Sequence, residues 1–151
     1  MTAANRFYFE DVDPHAVLQT PAMTVTEAHV GLYTGLVQEA PAPAGVAPDL
    51  LPLCLTTGLG WRSPQPPLAV LAFLGVEWEM QRPIHVGDTI HSRSRTAVKR
   101  SLREGGFLVE EREVVNQRGE VVQRGRFSFL VAKRPPGEAR GGSGRTQEAS
   151  A

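Results

Sequence analysis

The sequence predicts an α+β fold in which an antiparallel sheet wraps around one central helix. Three observations lead there. The stretch Pro48 to Trp61 is apolar on nearly every side, and a helix that is apolar all round is normally buried. From Leu68 onward the apolar spacing changes to two, the period of strands. Short turns containing Gly and Asn join the later segments, and such turns connect antiparallel neighbours.

In chain order, a short strand is expected at Phe7 to Phe9. In "TVTEAHVGLYTGL", Thr24 and Glu27 have the spacing of a capping box, and Thr26 is an equally good N-cap. Ala28, Leu32 and Leu36 then recur every four residues, with Val30 and Tyr33 beside them, as one face of a helix. The central helix is expected in "APDLLPLCLTTGLGWR", with Pro48 in its first turn, Asp49 at its positive end and Pro52 close to its opening. The next segment places Val70, Ala72, Leu74, Val76, Trp78 and Met80 on one face. Its successor places Ile90, Ser92, Ser94, Thr96 and Val98 on one face, with His91, Arg93, Arg95 and Lys99 outward. "GFLVEEREVVNQ" and "EVVQRGRFSFLVAK" form a hairpin turning at Asn116 and Gly119, preceded by a turn at Gly105-Gly106. Residues 1–133 make one folded domain. The Pro-, Gly- and Ser-rich segment 134–151 is expected to be a disordered tail.

Composition narrows the function. The 16 Lys and Arg balance the 16 Asp and Glu among 151 residues, which argues against a nucleic-acid or membrane-surface binder. No apolar run reaches the roughly 20 residues of a membrane span, and the opening segment has no signal-peptide core. The single cysteine, Cys54, makes neither an internal disulfide nor a metal cluster and suits a reducing, cytoplasmic setting. Set among leucines, it is expected to be a buried, inert thiol. His15, His29, His85 and His91 have no partner at triad or metal-ligand spacing, so no metal or redox cofactor is expected. Arg82 and Asp88 read as turn residues, and Trp61 and Trp78 as packing residues. What remains is Glu39, a lone carboxylate directly after the first helix, followed by an alternating Ala/Pro run.

Four segments in order, "YFEDVDPH…TPAMTVTEAHVGLYTGL", "VAPDLLPLCLTTGL", "LGVEWEMQRPIHVGDTI" and "VVNQRGEVVQRGRFSFLVAK", resemble the MaoC-like hydratases and dehydratases of the hotdog fold. The resemblance spans about Tyr8 to Lys133. It implies a substrate that is an acyl thioester of coenzyme A or of a carrier protein. It implies reversible hydration of a 2-enoyl thioester to the 3-hydroxy form. The family's loop pattern Gly-Asp-x-Asn-Pro-x-His aligns through "YTGL". Glu39 then falls at the Asp, Pro41 at the Asn and Ala44 at the His, so the catalytic imidazole is missing.

The resemblance also assigns carbonyl polarisation to the start of the central helix. There Pro48 has no N–H, Asp49 and Leu50 keep theirs, and the Asp49 carboxylate would compete for them by capping the helix. Three readings follow. The first is a hydratase or dehydratase with Glu39 as base. The second is a non-catalytic thioester-binding chain or the partner subunit of a catalytic hotdog protein. The third is a hotdog acyl-CoA thioesterase. A homodimer, or a heterodimer with another hotdog subunit, is expected under all three, because a lone sheet leaves strand edges open.

Overall fold

The structure, a computed structural model, describes residues 6–38 and 42–137. Its elements are β1 (Val17–Gln19), β2 (Met23–Thr24), α1 (Glu27–Val37), α2 (Leu51–Gly60), β3 (Val70–Met80), β4 (Thr89–Leu102), β5 (Gly105–Val115) and β6 (Val121–Val131). The strands form one antiparallel sheet in the order β1-β4-β5-β6-β3, with β2 paired to β4. Both α2 and the helix-facing side chains of the sheet contribute to one core of Val25, Ala47, Leu51, Ile84, Ile90, Val114 and Val122.

The expected strand at Phe7 to Phe9 is not one. Phe7 makes an isolated bridge to Leu68, and Phe9–Asp11 is a single 3₁₀ turn. This segment crosses the far end of the helix-covered face, where Phe9 and Val12 pack on Leu108 and Val131. Lys99 holds it by donating to the Val12 carbonyl at 2.6 Å while lying over the Phe9 ring. Arg134, the first residue of the expected tail, pairs with Asp11, and its N–H donates to Glu10. Residues 138–151 lie outside the described residues.

Thr26 caps α1, and the His29 ring closes the cap by accepting the Thr26 N–H at 3.1 Å. The face that packs is not Ala28, Leu32 and Leu36. Leu32 and Leu36 are exposed, and Val30 and Tyr33 touch the core instead. Helical periodicity shows that a stripe exists, but which stripe docks depends on where the helix is attached.

α2 starts later than expected. Its first residue is Leu51, so Pro52, not Pro48, occupies the opening positions, where a missing N–H costs nothing. Only one side is covered: Leu51, Pro52, Thr56 and Leu59 are buried, whereas Cys54 is exposed, contrary to the expected buried thiol. A sheet covers one side of a helix, so the other apolar side stays open in a single chain.

Three strand details also differ. Register shifts at Leu71 and Leu74 break the alternation of β3, so Phe73 and Val76 sit opposite Phe129 and Phe127. A shift between Thr96 and Val98 turns Lys99 from the outer face to the helix-covered face, where it reaches Val12. Gly105 and Gly106 pair within β5 instead of forming the turn. An added Cβ on Gly106 would lie 1.9 Å from the Phe9 ring, so the glycine is what lets that ring down onto the sheet.

Candidate functional site

The site is built around the leading end of α2. Glu39, with Ala40 and Pro41, lies outside the described residues. The chain then runs as a strap along the turn between β3 and β4. The Ala47 N–H donates to Ile84 O at 2.8 Å, the Val86 N–H donates to Gly45 O at 2.9 Å, and Val46 stands opposite His85. Gly45 takes a positive φ of 75°, which glycine adopts without strain. Ala47 and Pro48 are buried against the core, and the chain emerges at Asp49 and Leu50 before entering the helix.

At that point three backbone donors are left over. The Leu51 N–H bonds Pro48 O and the Cys54 N–H bonds Leu50 O, but no acceptor among the described residues takes the Asp49, the Leu50 or the Leu53 N–H, the first two lying just ahead of the helix and the third in its opening turn. The first N–H groups of a helix have no intrahelical partner, and something else must satisfy them. The Asp49 carboxylate does not. The cap position is Leu50, with no side-chain cap bond, so the expected competition is absent. Because the helix begins at Leu51, Asp49 stands one residue ahead of the place from which a carboxylate caps.

Sequence reasoning missed the residue that holds this segment. Gln123 of β6 is 2% exposed. Its Oε1 accepts the Trp78 indole N–H at 3.1 Å, and its Nε2 donates to the Asp49 carbonyl at 2.7 Å. The amide's orientation is chemically forced: the indole can only donate and the carbonyl can only accept. The signal was present, because Gln123 has the same parity as Phe127, Phe129 and Val131 on the strand. A polar side chain on an apolar face is buried only when its hydrogen bonds are met.

The other flank of the strap is an ion and amide cluster. Asp88, nearly buried, accepts the His85 N–H at 2.9 Å and the Gln117 amide at 2.8 Å, with Arg118 at 3.5 Å. Burial pushes the Asp88 carboxyl up. The His85 N–H, the Gln117 amide and the Arg118 guanidinium outweigh it and hold the group below the ordinary carboxylate value. The His85 ring stands 3.9 Å from the same carboxylate and is largely exposed. Asn116 completes the hairpin turn by accepting the N–H groups of Arg118 and Glu120, and Gly119 takes φ 77°. Asp88 thus locks the β3–β4 turn to the β5–β6 turn, a structural role that its sequence reading anticipated.

A groove of about 680 Å³ lies on the outer face of the sheet, lined by Glu77, Arg95, Val98, Glu111, Arg126 and Ser128 among others. It includes no residue of the strap or of α2. Hydrogen bonds from Arg126 and Arg95 hold the Glu111 carboxyl below its ordinary value, and the neighbouring pairs Arg93–Glu113 and Arg124–Glu79 extend the same ladder. These charges already satisfy one another at a solvated surface, so the groove offers less chemistry than the unclaimed donors of the helix start.

Among known families, the profile of the FAS1-like dehydratase domain region matches residues 38–124. No curated protein matches the chain. Several solved structures do. A monoamine oxidase regulatory protein from Archaeoglobus fulgius is 25% identical over 89% of this chain and 100% of its own, with a TM-score of 0.79. A MaoC-like dehydratase from Rhodospirillum rubrum is 21% identical over 85% and 99%, with a TM-score of 0.73. The R-hydratase PhaJ1 from Pseudomonas aeruginosa is 15% identical over 85% and 88%, with a TM-score of 0.70. The arrangement of one helix against one antiparallel sheet is the hotdog fold.

Proposed function

The chain belongs to the family of FAS1-like dehydratase domain regions, and from that premise we propose that it acts on acyl thioesters of coenzyme A or a carrier protein in the cytoplasm, interconverting 2-enoyl and 3-hydroxyacyl forms. The observation that carries the reading is the pair of unclaimed amide hydrogens at Asp49 and Leu50, beside the leading end of α2. Free amide donors of this kind stabilise the charge that a thioester carbonyl gathers as it becomes an enolate. The solved MaoC-like dehydratase and R-hydratase support the direction of the chemistry.

In the hydration direction, Glu39 takes a proton from water. The water oxygen bonds to C3, and the C2–C3 π electrons move into the enolate that the Asp49 and Leu50 N–H groups hold. The protonated Glu39 then returns its proton to C2. One carboxylate serves as base and then as acid, so no second group is required for the balance. Dehydration is the same path reversed.

A second reading, a thioester-binding chain or partner subunit without turnover, is favoured by Ala44, where the resembling family carries its imidazole. Both readings include pairing with a second hotdog chain, its own copy or a different subunit. Leu32 and Leu36 of α1, Trp61 beyond α2 and Phe73 and Leu74 of β3 are all exposed apolar side chains, and β3 is an open sheet edge.

The test uses the purified protein with crotonyl-CoA. Loss of the enoyl absorbance, abolished in Glu39→Gln, supports the first reading. Saturable binding without turnover supports the second. Release of free thiol without hydration points to a thioesterase, and absence of both binding and turnover refutes the thioester assignment.

A further inference from the structure

Gln123 does more than fill the core. The Asp49 carbonyl and the Leu50 N–H belong to one planar, trans peptide group and point in opposite directions. A donor fixed on that carbonyl therefore also aims the Leu50 N–H, away from β6. The three groups also form a chain: the indole begins it as a donor, and the amide and the peptide group each accept at one end and donate at the other. The Trp78 indole N–H donates to Gln123 Oε1 at 3.1 Å, Gln123 Nε2–H donates to Asp49 O at 2.7 Å, and the Leu50 N–H is the free end. Hydrogen bonds arranged head to tail polarise one another, and they do so most where water is excluded, as around a side chain that is 2% exposed.

We propose that Gln123, held by Trp78, is a positioning residue that aims and polarises the Leu50 N–H toward the thioester oxygen. This rests on the reading of Asp49 and Leu50 as the carbonyl-polarising donors. Gln123 acts through the peptide group and does not touch the substrate. The helix start alone would not single out Leu50. The independent feature is the buried amide, which reaches from a strand to one particular carbonyl and draws on an indole to do so. The strand presents it there because the register of β6 with β5 runs unbroken from Val131 to Gln123, which keeps Gln123 on the face of Phe127 and Val131, and the shift just beyond it turns Val122 inward as well.

The experiment compares wild type, Trp78→Phe and Gln123→Met by turnover of crotonyl-CoA and by the ¹H–¹⁵N resonance of Leu50. Trp78→Phe leaves the Asp49 bond in place but removes the first dipole. Gln123→Met keeps the side-chain volume and removes both bonds. Complete loss of an oxyanion donor costs on the order of 100- to 1,000-fold in kcat, so loss of its aim and polarisation should lower kcat about tenfold or more, with KM nearly unchanged. The Leu50 amide proton should move upfield in both variants, more in Gln123→Met, within an otherwise well-dispersed spectrum. If the protein binds without turnover, the Leu50 resonance decides alone. An unmoved Leu50 resonance together with a kept kcat in both variants overturns the relay and leaves the thioester reading standing. Failure of the wild type to bind crotonyl-CoA removes the thioester reading and the role of the Leu50 N–H with it.

Discussion

Gly125 lies under Trp78, and the structure states what replacing it would do. A Cβ at that position would stand 2.1 Å from the Glu77 carbonyl oxygen and 2.3 Å from Trp78 Cε3. Ordinary contact begins near 3.4 Å, so Gly125→Ala is short by roughly 1 Å against a paired strand that cannot swing aside as a flexible side chain would. Overpacking of this kind costs about 1–3 kcal/mol. Displacement of Trp78 also weakens its bond to Gln123, worth about 1 kcal/mol more. The sum is about 3 kcal/mol, or a fall in Tm of roughly 6–12 °C for a domain of this size.

Gly31→Ala is the control. It lies in the exposed interior of α1 with nothing within 4 Å of its added Cβ, where the change should stabilise by up to about 1 kcal/mol. Urea unfolding followed by tryptophan fluorescence suits the measurement, because Trp61 is 75% exposed and the change reports Trp78. Protomer concentration must be held equal, since association shifts apparent stability. A Gly125→Ala midpoint within about 1 kcal/mol of wild type would refute the reasoning.

Asp88→Asn should cost about 1–3 kcal/mol at pH 7, because the His85 and Gln117 donors lose their carboxylate. The Asp88 carboxyl is held below its ordinary 3.8, so its contribution is present above about pH 4 and lost as pH falls through the lower folded value. The gap between variant and wild type should therefore shrink in urea titrations below that range. Lys99→Met removes the bond to Val12 and the cation over Phe9. A loss of about 1–2 kcal/mol is expected in the same assay, with faster hydrogen exchange in residues 7–12. Cys54 is exposed on the uncovered side of α2. Its labelling by a thiol reagent should slow as protomer concentration rises if that side meets a second chain, and a concentration-independent rate argues against that interface.

Much of the fold was legible in the residues. The alternation from Leu68 onward, the Asn116 and Gly119 turn and the leucine-rich helix are local patterns. Their periods follow from backbone geometry alone, so they identified the strands, the last hairpin and the central helix. The candidate donors Asp49 and Leu50 were named from the family resemblance; the helix itself begins only at Leu51, and that their N–H groups lack an acceptor was visible only in the folded chain. Other features depended on residues far apart in the chain. Which stripe of α1 docks, where the register of β3 slips and whether Cys54 is covered are settled by contacts between elements, and a single chain's sheet covers only one side of α2. Gln123 is the plainest case. Its parity was written in the sequence, but its partners Trp78 and Asp49 lie 45 and 74 residues away, and only folding brings an indole, an amide and a peptide carbonyl into one line.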